Sequence, residues 1–204
     1  KISDIIYTRV TGGGAYFDTR VVFVSETGPK DNRTKRLAIM DQDGANYKLL
    51  KHPPSLVIAP RFSPTGNKII FTGYETGKPT VYLMDLSSEE ISSLPELKGM
   101  SFAPRFSTDG NQIVLSMTGN GNTDIFITSL SEGTRRRLTT NNAIDTAPSF
   151  SPDGKQVVFE SDRGGGQQLY IISTEGGEAK RISFGRGRYA TPVWSPRGDL
   201  IAFT

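Results

Sequence analysis

Beyond the first dozen residues, apolar residues gather in short bursts parted by polar turns, and no stretch keeps a helical spacing. The strongest bursts are Lys68-Ile69-Ile70-Phe71-Thr72, Gln112-Ile113-Val114-Leu115, Gln156-Val157-Val158-Phe159 and Leu200-Ile201-Ala202-Phe203. They are β-branched and aromatic at successive positions, as strands covered on both faces are. Before each comes a shorter run ending in an aromatic-Ser pair, at Phe62-Ser63, Phe106-Ser107, Phe150-Ser151 and Trp194-Ser195. Between the two runs stand turn residues, seen in full at Ser151-Pro152-Asp153-Gly154. Proline presets a turn's backbone, aspartate bonds its own amides, and glycine takes the positive φ that other residues avoid. A third strand is predicted at Val81–Asp85, Ile125–Thr128 and Leu169–Ile172, and a more polar fourth around Ser92–Leu94, Arg136–Thr139 and Lys180–Ser183.

The whole pattern repeats. Ala59-Pro60, Ala103-Pro104, Ala147-Pro148 and Thr191-Pro192 open the successive units at a constant step of 44 residues. A four-stranded unit of that length is the mark of a β-propeller blade. The fold expected is therefore all-β, an incomplete ring of blades. Full blades are expected at 53–97, 98–141 and 142–185 and a half blade at 186–204. The partial blade at 15–52 has strands at Arg20–Ser25, Leu37–Asp41 and Tyr47–Leu50 but lacks an innermost one. Many propellers close by letting the far end of the chain donate that strand, so the strand count points to a piece of a larger ring.

Residues 1–14 differ from the rest. Ser3 suits a helix cap, Asp4 its first turn, and Ile2, Ile5, Ile6 and Val10 fall near one helical face before Gly12-Gly13-Gly14. This segment reads as the end of an upstream domain plus a linker, and 15–204 as the propeller.

Composition narrows the chemistry. The absence of cysteine among 204 residues excludes disulfides, thiolate catalysis and cysteine metal sites. No stretch approaches the roughly 20 apolar residues of a membrane span. A net charge of +3 does not by itself imply nucleic acid, and the basic clusters Arg135-Arg136-Arg137 and Arg186-Gly187-Arg188 read as solvated outer-strand and loop charge. The single histidine, His52, precedes Pro53-Pro54 in a loop, and no Gly-x-Ser-x-Gly elbow occurs. The serine of the aromatic-Ser pair recurs four times, as scaffold does and a nucleophile need not. Asp41-Gln42-Asp43-Gly44 opens like a calcium loop but lacks the later ligands, so it is read as a hairpin. Gly164-Gly165-Gly166 is read as a hairpin tip because a strand pattern, not a helix, follows it. Neither cofactor nor metal is expected.

What remains is a binding surface. In a propeller the innermost strands line a central channel, and the segments leading into them gather at one mouth. The candidate partner-binding residues are therefore Ile58, Ala59 and Pro60; Phe102, Ala103 and Pro104; Asp145, Thr146, Ala147 and Pro148; and Tyr189, Ala190 and Thr191. These positions are small, apolar and aromatic, and packing of the channel wall is their alternative role.

Three stretches resemble the TolB family, the periplasmic propellers of the Tol-Pal envelope system. Ile5-Ile6-Tyr7-Thr8-Arg9-Val10-Thr11-Gly12, followed by Thr19–Val24, is similar to that family's junction between an N-terminal α/β domain and its first blade. Asp41-Gln42-Asp43-Gly44 matches its Asp-x-Asp-Gly hairpin, and the Ser-Pro-Asp-Gly turns match throughout. The resemblance implies a six-bladed propeller when complete and a periplasmic, non-enzymatic protein. Its channel mouth would dock the peptidoglycan-associated lipoprotein Pal, while a more N-terminal region would contact other Tol proteins and colicins. It further implies roles in outer-membrane integrity, cell division and protein import. Two alternatives stay open: the gating propeller of a prolyl-oligopeptidase-like serine peptidase, and a sugar- or ion-binding propeller enzyme. The second would need several acidic or histidine side chains at the channel, and Asp145 is the only acid among the lead-in residues. The open blade edges are expected to promote self-association.

Overall fold

The structure, a computed structural model, describes residues 2–13, 18–51, 56–94, 99–119 and 121–204. His52 and Pro53-Pro54 lie outside the described residues. The chain divides into two compact units, Lys1–Pro60 and Arg61–Thr204.

The first unit holds helix α1 (Ile2–Thr11) and strands β1 (Arg20–Thr27), β2 (Thr34–Asp41) and β3 (Lys48–Leu49), which form a three-stranded antiparallel sheet in chain order. Ser3 sits inside the first helical turn and does not cap it, because Ile2 is already helical. The helix ends as a glycine should end it: Gly12 has φ +70° and its amide donates to Thr8 O at 2.9 Å. The face carrying Ile2, Ile5, Ile6 and Val10 is exposed, with Ile2 at 76% and Val10 at 78%. Asp4 is instead the buried side chain of α1, its carboxylate accepting from the Asp18 amide at 2.9 Å. The Asp-Gln-Asp-Gly hairpin spends its carboxylates on itself. Asp43 accepts from the Ala45 amide at 2.9 Å and Asp41 from Asn46 Nδ2 at 2.5 Å, while Gly44, at φ +87°, donates its amide to Asp41 O.

In the second unit three four-stranded antiparallel sheets follow one another. They contain β4 (Val57–Phe62), β5 (Lys68–Gly73), β6 (Thr80–Asp85) and β7 (Ile91–Ser93); then β8 (Met100–Phe106), β9 (Gln112–Gly119), β10 (Asn122–Ser129) and β11 (Arg135–Arg137); then β12 (Asp145–Phe150), β13 (Gln156–Ser161), β14 (Gln168–Ser173) and β15 (Lys180–Arg181). The unit boundary falls inside β4, after Pro60. A two-stranded sheet of β16 (Val193–Trp194) and β17 (Ile201–Ala202) ends the chain. Each sheet is a meander, and its first strand is an edge. These are propeller blades.

The core lies between consecutive sheets, which explains the unbroken apolar second strands. Ile113 and Leu115 of β9 join Ile70 and Val81 of the preceding sheet, whereas Val114 joins Phe150, Val157, Phe159 and Tyr170 of the following one. Alternate side chains thus serve opposite faces, and both faces are covered. Each fully buried aliphatic or aromatic residue contributes about 1.5–3 kcal/mol. The basic run forms the outermost strand β11, where Arg137 pairs with Asp124 at 2.7 Å and Arg136 donates to Thr174 O of the next sheet.

Candidate functional site

The first strands of consecutive sheets stand side by side: β8 contacts β12, and β12 contacts β16. Their lead-in segments therefore come together, bringing Phe102-Ala103-Pro104, Asp145 to Pro148 and Tyr189-Ala190-Thr191 to one end of the second unit. Ile58, Ala59 and Pro60 belong to the first unit, where Ile58 is exposed and Pro60 buried.

Each lead-in carries the same distortion. Ala59, Ala103, Ala147 and Thr191 have φ of +52°, +51°, +50° and +50°. The register slips at these sites, between Phe102 and Arg105 against β9 and between Thr146 and Ser149 against β13. An extra residue is thus accommodated as a bulge, which bends a strand and re-aims its side chains. A residue before proline is ordinarily extended, and left-handed backbone costs a non-glycine residue about 1–2 kcal/mol. The prolines of the bulges, Pro104, Pro148 and Pro192, are buried; Phe102, Ala103, Thr146, Ala147, Tyr189 and Ala190 are half-buried, and Thr191 is exposed.

Two acidic residues at this end have structural partners that the sequence did not give. Asp145 is 0% exposed, and its carboxylate accepts from Arg163 at 3.0 and 2.9 Å and from Asn141 Nδ2 at 3.1 Å. Arg163 in turn lies over the rings of Phe159 and Tyr170, 5.1 and 4.8 Å from their centroids. Asp145 is a buried brace of the mouth. The second is Glu160, which sequence reading missed. Its carboxylate accepts from Thr146 Oγ1 at 2.5 Å and from the amide of the strained Thr191 at 2.8 Å, 31 residues on in the following blade. One and two repeats earlier the equivalent residues are Ser116 and Thr72, whose buried hydroxyls have no hydrogen-bond partner among the described residues. A polar residue recurring inside an otherwise apolar strand was the available signal.

At the opposite ends of the strands the four serines close their turns. Ser151 Oγ donates to Asp153 Oδ1 at 2.6 Å and accepts from the Gln156 amide at 2.9 Å; Ser63, Ser107 and Ser195 bind the corresponding amides at 3.1, 3.0 and 3.2 Å. Hydrogen bonding from the serine hydroxyls, aided by backbone amides, holds the Asp109, Asp153 and Asp199 carboxyls below the usual carboxylate range. Neighbouring turns also touch. A Cβ on Gly110 would lie 3.4 Å from Pro64 Cδ, and one on Gly198 3.7 Å from Pro152 Cδ. Thr108 replaces the intervening proline, and its hydroxyl donates to Pro152 O at 3.0 Å. Among the described residues no three His, Asp or Glu side chains cluster to hold a metal ion, and no helix is long and apolar enough to cross a membrane.

Comparison with known proteins agrees with this geometry. The Tol-Pal system protein TolB of Cereibacter sphaeroides (strain ATCC 17025 / ATH 2.4.3) is 62% identical over 99 residues, covering 48% of the chain and 22% of that protein. The crystal structure of TolB from Acinetobacter baumannii matches with a TM-score of 0.87 and 34% identity, over 99% of the chain and 51% of that structure. The structure of a putative TolB from Agrobacterium tumefaciens shares the fold, with a TM-score of 0.76 at 20% identity over 93% of the chain and 70% of that one. The chain thus spans about half the length of the Acinetobacter protein. Residues 7–204 match the family described as the TolB beta propeller domain, and the chain belongs to that family.

Proposed function

We propose that the chain is a non-enzymatic interaction module of the periplasmic Tol-Pal system, and that its lead-in mouth docks a protein partner, the lipoprotein Pal. The observation that carries the reading is the set of half-buried Phe102, Thr146 and Ala147 on the adjacent bulged strands β8 and β12, with half-buried Tyr189 in the segment that leads to β16. The bulges present small and aromatic side chains on a rigid frame, the kind of surface in which a few buried anchors dominate affinity. The relatives' designation as Tol-Pal system proteins supports this role over that of a peptidase-gating propeller. Other Tol proteins and colicins would be met by a more N-terminal region of the longer family members.

Calorimetric titration of Pal into the protein carrying this propeller tests the site. Phe102→Glu and Ala147→Asp each place an unpaired charge in the contact and are expected to weaken binding at least tenfold, about 1.4 kcal/mol or more. Unchanged affinity in both variants, with thermal stability intact, would remove the mouth as the docking face.

A further inference from the structure

The blades built from β8–β11 and β12–β15 differ at one hairpin position. A step of 44 residues carries Gly119 onto Arg163, Asp124 onto Gln168, Phe126 onto Tyr170 and Arg137 onto Arg181. In the later blade the Arg163 guanidinium lies 4.8 Å from the Tyr170 ring centroid and bonds to Asp145. In the earlier blade glycine has no side chain to place there. A cavity of about 310 Å³ opens instead, and Met117, Gly119, Asn122, Asp124, Phe126 and Arg137 are among the residues that line it. The registers agree with this placement: Asp124 pairs with Met117 and Phe126 with Arg137, and Asp124 and Phe126 are two apart on β10, so these side chains share a face. Thr118 pairs with Met100, the first residue of β8, so the cavity lies at the lead-in end of its blade.

Asp124 is 5% exposed, and its carboxylate is only half engaged. Oδ2 accepts from Arg137 at 2.7 Å. Oδ1 has a 3.4 Å contact from Asn122 Nδ2, whose shorter bond, at 2.8 Å, goes to Asn141 O. A carboxylate offers about four lone-pair sites, so Oδ1 can accept from a donor in the cavity. Beside it stands half-buried Phe126, at the position where Tyr170 carries a guanidinium one repeat on. Arg137 does not bar a second cation. The later blade holds two arginines on this face, Arg163 over Tyr170 and Arg181 across the ladder from it.

We infer that this cavity binds a guanidinium group, the arginine side chain of a partner segment, with Asp124 Oδ1 accepting its N–H bonds and Phe126 covering its flat face. Arg163 is the template: the same blade geometry holds such a group inside the chain one repeat later. A planar guanidinium can bond a carboxylate in its plane while an aromatic ring covers its face, which a compact, strongly hydrated ammonium does not match. In drawing the ligand from a bound protein the inference rests on the docking reading above, although its residues lie outside the lead-in set.

Nuclear magnetic resonance titration of the protein carrying this propeller tests the site without Pal. The probes are the amides of N-acetyl-arginine, N-acetyl-lysine and N-acetyl-glutamate at matched ionic strength, read at the Gly119 backbone and Asn122 side-chain amides. Arginine is expected to give saturable shifts with a dissociation constant of about 1–10 mM, lysine to bind at least about threefold more weakly, and glutamate to give none. Gly119→Arg supplies the plug that the next blade has. The backbone there is not left-handed, and an added Cβ would meet nothing within 4 Å. This variant is expected to weaken the arginine response at least about tenfold, while Gly119→Ser stays within about twofold of wild type. Phe126→Leu removes the ring and keeps an apolar packing side chain, and is expected to weaken the response several-fold. No saturable response to arginine, an equal or tighter response to lysine, a response to glutamate alone, or a wild-type response in Gly119→Arg overturns the site. Any of these outcomes, with Pal binding intact in calorimetry, would remove the cavity and leave the docking mouth standing.

Discussion

The Asp145–Arg163 pair makes a demanding test of how the mouth is braced. Asp145 is wholly buried, while the Arg163 side chain keeps 22% of its surface in water. The two partners are therefore unequal. Arg163→Met strands a carboxylate that cannot rehydrate, leaving it only Asn141, and is expected to cost about 3–5 kcal/mol. Loss of the cation–π contacts to Phe159 and Tyr170 adds about 0.5–2 kcal/mol. Asp145→Ala leaves a guanidinium that turns toward solvent and still has Ser161 Oγ at 2.9 Å from Nε, so about 1–3 kcal/mol is expected. The double variant Asp145→Leu/Arg163→Met, with no charge to bury, is expected to be more stable than Arg163→Met alone. Urea unfolding followed by far-ultraviolet circular dichroism measures all three, with m-values compared so that loss of cooperativity between blades is not read as a stability change. An Arg163→Met cost below about 1 kcal/mol, or a double variant less stable than the Arg163 single, would refute the account of Asp145 as a brace.

Two further outcomes follow from the repeated geometry. Ala147→Gly releases left-handed strain of about 1–2 kcal/mol against an unfolded-state entropy penalty of about 0.5–1 kcal/mol, so it is expected to be neutral or mildly stabilising. Ala38→Gly, in the buried β2 where no positive φ is found, should destabilise; equal losses at both sites in chemical denaturation would contradict the bulge. The lowered pKa values of Asp109, Asp153 and Asp199 mean that their contribution to stability is present above the unfolded carboxylate value of about 3.9 and is lost as pH falls through the lower folded values. Carbon-13 carboxyl titration of Asp153 should show a midpoint below that value that rises in Ser151→Ala, and a wild-type midpoint above it would contradict the turn chemistry.

The blades were readable because their signals are local and recur. Val157-Val158-Phe159 is apolar at every position, Ser151 to Gly154 is a turn in any context, and the period fixes which strand follows which. The lead-in bulge was not readable. Alanine before proline predicts extended backbone, and only pairing with the second strand, which skips a residue between Phe102 and Arg105, forces φ to +51° at Ala103. Arg163 and Glu160 escaped notice for a related reason. Their partners lie 18 and 31 residues away, at distances that no local pattern encodes. The amphipathic stripe of α1 was visible in sequence, whereas its exposure was not, since a stripe predicts a buried face.

The internal repeat also separates scaffold from recognition within this one chain. A residue demanded by blade geometry must recur at every step of 44, and the proline of the lead-in, the serine of the turn and the glycine after it do so. A contact with an asymmetric partner is made once, so its residues are free to differ from blade to blade. Along the repeat the position before the strained residue reads Ile58, Phe102, Thr146 and Ala190, and the one after the proline reads Arg61, Arg105, Ser149 and Val193. The bulge holds the backbone constant while these side chains change, which gives the inner face different chemistry at each blade on one geometry.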